Sequence, residues 1–316
     1  MLALLVPPAA VEGQPAGRVY RVGWLTPAVS PPNTLELQAL REGLRNFGYV
    51  EGQNLVLEIR AANGNPALLP ALAAALVDSK VDVIVTGGTA AGLAAKRATR
   101  TIPIVFAQAA FPERSGLVAN CARPGGNVTG LAFVGPEYGK RLELLRQVSP
   151  HLSRVALLYN HENPGSVLAV EEIGRWAERL GVTLGLYGVA RPEDIEKVFT
   201  AIRVARPDAL MTTADLVVTS YRARTIEFAN QHRLLSIYPN RDFVTAGGLM
   251  FYGTSVSDMY RKAAVYVDRI LKGARPGELP VEQNFKFDLV INLKTAKALG
   301  LTIPPLVLAR VDEVIE

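Results

Sequence analysis

Three turns in this sequence carry residue types that suit a small charged molecule. Thr86-Gly87-Gly88-Thr89-Ala90 joins a β-branched run to an amphipathic helical pattern. It therefore offers the unpaired N–H groups and the positive dipole end of a helix, where a carboxylate can dock. Thr86, Gly88, Thr89 and Ala90 are the expected contacts, with the Thr89 hydroxyl as a further donor. The stretch from Tyr159 to Ser166 repeats the arrangement: Asn163 suits a helix N-cap, Pro164 the first turn, and Asn160 and Ser166 bring polar groups to the same crevice. His161 lies in this loop and is expected to reach a ligand carboxylate. Thr213-Ala214-Asp215 ends another strand, and Asp215 is the expected partner of an ammonium, because a cation withdrawn from water needs a paired anion. Trp24, Tyr238 and Tyr252 stand at or near strand ends, where their rings could wall a pocket. Each feature keeps a structural alternative: helix caps for the two turns, a surface carboxylate for Asp215, core or rim for the aromatics.

Covalent chemistry finds little to work with. His151, His161 and His232 are isolated, no HExxH or Gly-x-Ser-x-Gly element occurs, and Cys121 precedes Ala122-Arg123-Pro124 with no His nearby. One cysteine excludes an intramolecular disulfide framework and a multi-cysteine zinc site. Leu93 follows Gly92 where a phosphate-binding loop needs Lys, and no GxGxxG follows a strand, so no nucleotide cofactor, metal or catalytic residue is expected. Asn127-Val128-Thr129 matches a glycosylation acceptor, a weak pattern taken alone.

The elements that must position these turns follow from the rest of the chain. Its 316 residues, 49% hydrophobic and 20% charged, favour two lobes with apolar cores over disorder. The net charge of +5 is spread along helix faces such as Lys96 to Arg100 and Arg222 with Arg224, which argues against a nucleic-acid footprint. Met1 to Ala10 is an apolar run followed by small and polar residues to Gly17, the pattern of a secretory signal without its basic start. No cysteine lies near it to carry a lipid, and no later run is long and apolar enough to span a membrane.

From Arg18 onward, short β-branched runs alternate with helical patterns, as in an α/β protein with parallel sheets. The order strand-helix-strand-helix-strand-helix-strand occurs twice, with Val22 and Val155, Asp82 and Asp208, and Ile104 and Ile237 about 130 residues apart. Two such sheets leave a crevice along their carboxyl edges. The expected organisation is 1–17 as a signal remnant, 18–132 plus 248–282 as lobe I, and 133–247 plus 283–316 as lobe II. Three crossings would then form a hinge between two doubly wound lobes.

The chain from about Arg18 to Glu316 resembles the extracytoplasmic substrate-binding proteins of ABC transporters, in the subfamily labelled tryptophan/tyrosine transport components. The matching stretches are Leu40 to Ala62, Lys80 to Ala107, Gly116 to Leu131, Asn163 to Ser166, Ala246 to Gly253 and Leu289 to Pro305. The resemblance implies a type I periplasmic-binding fold, two lobes joined by three strands, closing on an amino acid or related small carboxylate. It also implies a periplasmic location and an inner-membrane ABC permease as partner, with the protein acting as a monomer. The chain departs from the family's usual pattern at Gln108 to Arg114, which includes Ala109, and at Asn160 to Glu162. Both departures face the expected cleft and point away from a standard aromatic amino acid as ligand. A ligand sensor feeding a receptor, and an enzyme on the same scaffold, are the alternatives in other functional classes.

Overall fold

The structure is a computed structural model that describes residues 18–28, 34–133, 136–191, 193–283 and 286–316. The apolar run at 1–17 lies outside them. The first sheet holds β1 (Tyr20–Thr26), β2 (Leu55–Ala61), β3 (Val83–Gly87), β4 (Ile104–Ala110) and β5 (Val128–Phe133), all parallel, in the order β2-β1-β3-β4-β5. Between them run α1 (Leu35–Asn46), α2 (Leu69–Asp78) and α3 (Gly88–Ala98). Strands β3, β4 and β5 are buried along their whole length. That is why they read as unbroken apolar runs rather than as alternation.

The second lobe begins with α4 (Pro136–Val148) and repeats the order. It continues β6 (Arg154–Asn160), α5 (Pro164–Leu180), β7 (Thr183–Val189), α6 (Asp194–Ala205), β8 (Ala209–Thr212), α7 (Leu216–Ser220), α8 (Arg222–Gln231), β9 (Leu235–Tyr238), α9 (Arg241–Thr245) and β10 (Met250–Gly253). The long helix α10 (Val256–Leu271) is followed by β11 (Asp288–Asn292), α11 (Leu293–Leu299), α12 (Pro305–Leu308) and β12 (Glu313–Ile315). The second sheet runs β12-β11-β10-β9-β8-β6-β7, with β11 antiparallel to β10.

Its five strands β7-β6-β8-β9-β10 reproduce the order of the first sheet, so the internal repeat is one of topology. It extends to single hydrogen bonds. Asp82 accepts from Arg21 N at 2.8 Å at the foot of β1, and Asp208 accepts from Arg154 N at 2.8 Å at the foot of β6.

One expected placement is corrected. The strand near 250 was assigned to lobe I, but β10 pairs with β9 and β11 in the second sheet, where it takes the place that β5 takes in the first. The helix that follows, α10, returns to lobe I, where it packs along α1 and over β3 and β4, and the segment after it stays there, with Val281 N donating to the Cys121 carbonyl at 2.7 Å. Gly43 permits that approach: a Cβ there would stand 2.7 Å from Ala264 Cβ and 2.8 Å from the Arg261 carbonyl. Each sheet is covered on both faces. In lobe I, Trp24, Val85, Leu40, Tyr260 and Val267 pack on one side, and Ile84, Ile104, Leu76 and Ala91 on the other. The chain passes between lobes after β5, after β10 and before β11. At the last passage, Glu282 bonds to Gly130 and Ala132 of β5.

Candidate functional site

The carboxyl ends of both sheets face each other, and the helices that follow their strands converge there N-terminus first. This is where open α/β sheets bind ligands. Helix α3 starts at Gly87, which has no side chain to cap it, so its first N–H groups remain open to another acceptor. Across the cleft, α5 is capped by Asn163, whose Oδ1 accepts from Gly165 N at 3.1 Å. Helix α7 is capped by Asp215, whose Oδ1 accepts from Val217 N and Val218 N at 2.9 and 3.0 Å.

Asp215 is the electrostatic centre of the site. It is 4% exposed, and besides the two backbone groups it accepts from Asn163 Nδ2 at 2.6 Å and from Asn160 Nδ2 at 3.3 Å. All four donors are neutral. Burial holds this carboxyl above its ordinary range, opposed by the hydrogen bonds from Asn163, Val218, Asn160 and Val217. A carboxylate solvated by dipoles alone is poised for a cation, because a charge-assisted bond is roughly twice as strong as a neutral one.

The cleft brings together Gly88, Thr89, Ala90 and Ala109 from lobe I with Asn160, Asn163 and Asp215 from lobe II. Sequence reasoning did not single out Pro27, Pro66, Gln108 and Phe133 on one side, or Glu162, Gly165 and Leu216 on the other, although all line it. Gln108 and Glu162 fall within the two stretches that depart from the family pattern, and that was their available signal.

Around these residues the lobes are shut: about 20 Å³ remains among them, room for about one water. A Cβ on Gly165 would lie 2.4 Å from Thr89 Oγ1, and one on Gly87 2.9 Å from Leu216 Cδ1. Outside the cleft, Arg114 pairs with Glu171 across the lobes at 2.5 Å, and Phe111 stacks on Tyr138.

Six expected contacts lie elsewhere. His161 is exposed and packs over Gly188 of β7, where a Cβ would meet its Nδ1 at 2.8 Å, so its ring faces away from the cleft. The Ser166 hydroxyl is used inside lobe II, by Asn160 N at 3.1 Å and Thr213 Oγ1 at 2.8 Å. Tyr238 is fully buried and stacks on Phe243 of α9. Tyr252 stacks on Phe287, and its carbonyl accepts from Arg141 Nε at 2.7 Å. Trp24 lies within the lobe I core, edge-on to Tyr260. Thr86 points beneath α3 toward Gly92. Thr89 lines the cleft, but its hydroxyl already accepts from Ala110 N at 3.0 Å and is 3.3 Å from the Ala110 carbonyl.

Among the described residues no group of His, Cys, Asp and Glu is arranged to hold a metal, and no helix is long and apolar enough to cross a membrane.

Comparison with known proteins meets this geometry from another side. The chain is 25% identical over 260 residues, 82% of its length and 75% of the relative's, to the tyrosine-binding protein of Clostridioides difficile strain R20291. A conserved domain protein from Vibrio cholerae O1 biovar eltor strain N16961 superposes with a TM-score of 0.89 at 31% identity, covering 94% of this chain and 100% of that one. The ABC domain of Streptococcus pneumonia crystallised in complex with L-Trp gives 0.87 at 26% identity, with the same coverage. The family model described as ABC transporter substrate binding protein matches residues 26–315, nearly the whole two-lobed body, and the chain belongs to that family.

Proposed function

We propose that this protein is the periplasmic solute-binding component of an ABC importer and that it captures an α-amino acid between its lobes. The observation that carries the ligand class is the pairing of opposite charges across one small cleft. Asp215, buried and bonded only to neutral donors, faces the uncapped N-terminus of α3. An ammonium neutralises the first and a carboxylate occupies the second. An amino acid presents both groups two bonds apart. The relatives named for tyrosine and crystallised with L-Trp support the same ligand class.

The protein works as a monomer that binds and releases its solute unchanged, and the closed form is what the permease reads. Closure brings the lobes' own dipoles onto the ligand and excludes water, which strengthens each contact. A micromolar dissociation constant needs about −8.2 kcal/mol, within reach of a few charge-assisted bonds in such a cleft.

The test is a thermal-shift screen of the twenty amino acids beside their deaminated counterparts, since a ligand specific to the folded state raises the midpoint by mass action. A rise with one or more amino acids and none with the matching deaminated acids is the expected result. Equal shifts from both series would remove the ammonium from the recognition scheme.

A further inference from the structure

Lobe I places one side chain in the core of lobe II. Phe111 directly follows β4, yet its half-buried ring packs against the apolar cluster of lobe II. It stacks on Tyr138 of α4, with ring centroids 6.0 Å apart and planes 20° from parallel. The Arg114 guanidinium lies over the same ring, 5.3 Å from its centroid, and pairs with Glu171 of α5. Arg141 in turn lies over the Tyr138 ring, so cation and ring contacts run unbroken from one lobe into the other. The base of this arm belongs to lobe I. Ser115 N donates to the Phe111 carbonyl and Leu117 N to that of Pro112, both at 2.8 Å, which folds residues 111–117 into a compact turn. Glu113 accepts from Cys121 N at 2.6 Å. Leu117 and Val118 are buried in the lobe I core, Leu117 against Gly92 of α3.

The backbone at Phe111 is strained. Its φ is +48°, a left-handed conformation that L-residues with bulky side chains rarely adopt. Four other non-glycine residues among those described have a positive φ. Lys80, Arg206 and Arg233 stand at the ends of α2, α6 and α8, where that conformation is usual, and Asn63 is of a type that tolerates it. Phe111 has neither reason. Strain of this kind persists only where the surroundings over-determine it, and it gathers at clamps and switches.

We propose that the arm from Phe111 to Arg114 is a latch that keeps a share of the protein closed without solute, and that opening draws the ring away from α4 and lets the Phe111 backbone relax. The proposal rests on the hinged, two-lobed reading above but not on the class of solute. Ring packing, the cation over the ring and the ion pair to Glu171 favour closure; the left-handed backbone favours release. The arm continues β4, whose Gln108, Ala109 and Ala110 line the cleft, so the strand that meets the solute also carries the latch. Apparent affinity scales with the fraction of protein already in the competent state, and the latch therefore tightens binding of any solute that the closed cleft holds.

The experiment is small-angle scattering of the ligand-free protein, wild type against Phe111→Ala, with Phe111→Leu as a milder variant that keeps apolar bulk but gives Arg114 no ring. A cooperative thermal transition confirms that each variant folds. The latch predicts a radius of gyration larger by about 1 Å for Phe111→Ala, against about 20 Å for a compact chain of this length, with Phe111→Leu between the two. Saturation with an amino acid identified by the thermal-shift screen should return each variant to the radius of the liganded wild type, as a loosened hinge does and a damaged lobe does not. A ligand-free radius equal to that of wild type, in whichever Phe111 variant folds, overturns the latch and leaves the amino-acid assignment in place. A variant that stays expanded with the amino acid bound overturns it as well. If no amino acid shifts the midpoint, the amino-acid assignment fails, and the ligand-free comparison still decides the latch.

Discussion

Arg141 and Glu137 make a buried pair at the start of lobe II, where the effect of a single substitution should depend on pH. Both are nearly inaccessible, at 2% and 3% exposure. Arg141 donates Nε to the Tyr252 carbonyl at 2.7 Å, just before the second passage between lobes, and its guanidinium lies over the Tyr138 ring. Burial pushes the Glu137 carboxyl up to about 7, against the lowering pull of Arg141 and with a smaller raising effect from Glu172.

The folded protein therefore holds a proton on Glu137 that the unfolded chain has lost, between the ordinary carboxylate value of 4.5 and about 7. The unfolded state binds fewer protons in this window, so stability falls as pH rises through it and levels off above 7. At about 1.4 kcal/mol per unit, the loss is up to roughly 3 kcal/mol. Glu137→Gln should flatten that slope.

Arg141→Met removes the cation and leaves the acid behind. At pH 8 Glu137, freed of the lowering pull of Arg141, keeps its proton, so the cost beyond that at low pH is limited to about 1.4 kcal/mol, one pH unit above the wild-type value of about 7. At pH 5, where Glu137 is neutral, the cost should shrink toward the lost bond to Tyr252, about 1 kcal/mol. Adding Glu137→Gln to Arg141→Met should recover most of the loss at pH 8 and little at pH 5. Urea unfolding of the four proteins at both pH values, arranged as a double-mutant cycle, measures this. A cost for Arg141→Met that is the same at both pH values, or a double variant no better than the single one at pH 8, would refute the reasoning.

Two other outcomes follow from contacts already described. Gly165→Ala places a methyl 2.4 Å from Thr89 Oγ1 and 2.9 Å from its Cβ across the cleft, so it should destabilise the fully closed form by about 1–3 kcal/mol. Small-angle scattering should show a larger radius of gyration, whereas Gly174→Ala on the same helix, which meets no neighbour within 4 Å, should leave the radius unchanged; equal radii for all three proteins would contradict the wedge. Asp208→Ala deletes the acceptor for Ser153 N, Arg154 N and the Ser153 hydroxyl and should lower unfolding free energy by about 1–3 kcal/mol while solute affinity stays unchanged. Altered affinity would show that the foot of β6 communicates with the cleft.

Much of this fold is legible in the residues because burial writes itself into the sequence. Strands β3 and β4 are covered on both faces and appear as continuous apolar runs, and α5 ends at Gly181 with φ 62°. What local pattern does not carry is the choice of partner. Residues 248–252 read as a strand, but the register of Met250 with Ile237 that places it in the second sheet depends on packing far away in sequence. Strand β5 (Val128–Phe133) adds a fifth strand to the four of the expected repeat unit.

In the site, the turns at 86–90 and 160–166 and the carboxylate at 215 were legible, because helices that follow parallel strands begin on one sheet edge whatever the details. The aromatic side chains were not. Whether Trp24, Tyr238 or Tyr252 faces the cleft or the interior is decided by the helix laid over each strand, and α10 and α9 claim the first two.

The most direct test of the central claim is calorimetric titration of wild type and Asp215→Asn with an amino acid identified by the thermal-shift screen and with its deaminated counterpart. Asparagine is as good an N-cap as aspartate, so α7 keeps its start while the negative charge goes. The account predicts that Asp215→Asn weakens the amino acid by at least tenfold, about 1.4 kcal/mol, leaves the already weak deaminated acid nearly unchanged, and costs the fold only the lost acceptor for Asn163 Nδ2, about 1–3 kcal/mol. An amino acid that binds Asp215→Asn as tightly as wild type would contradict it.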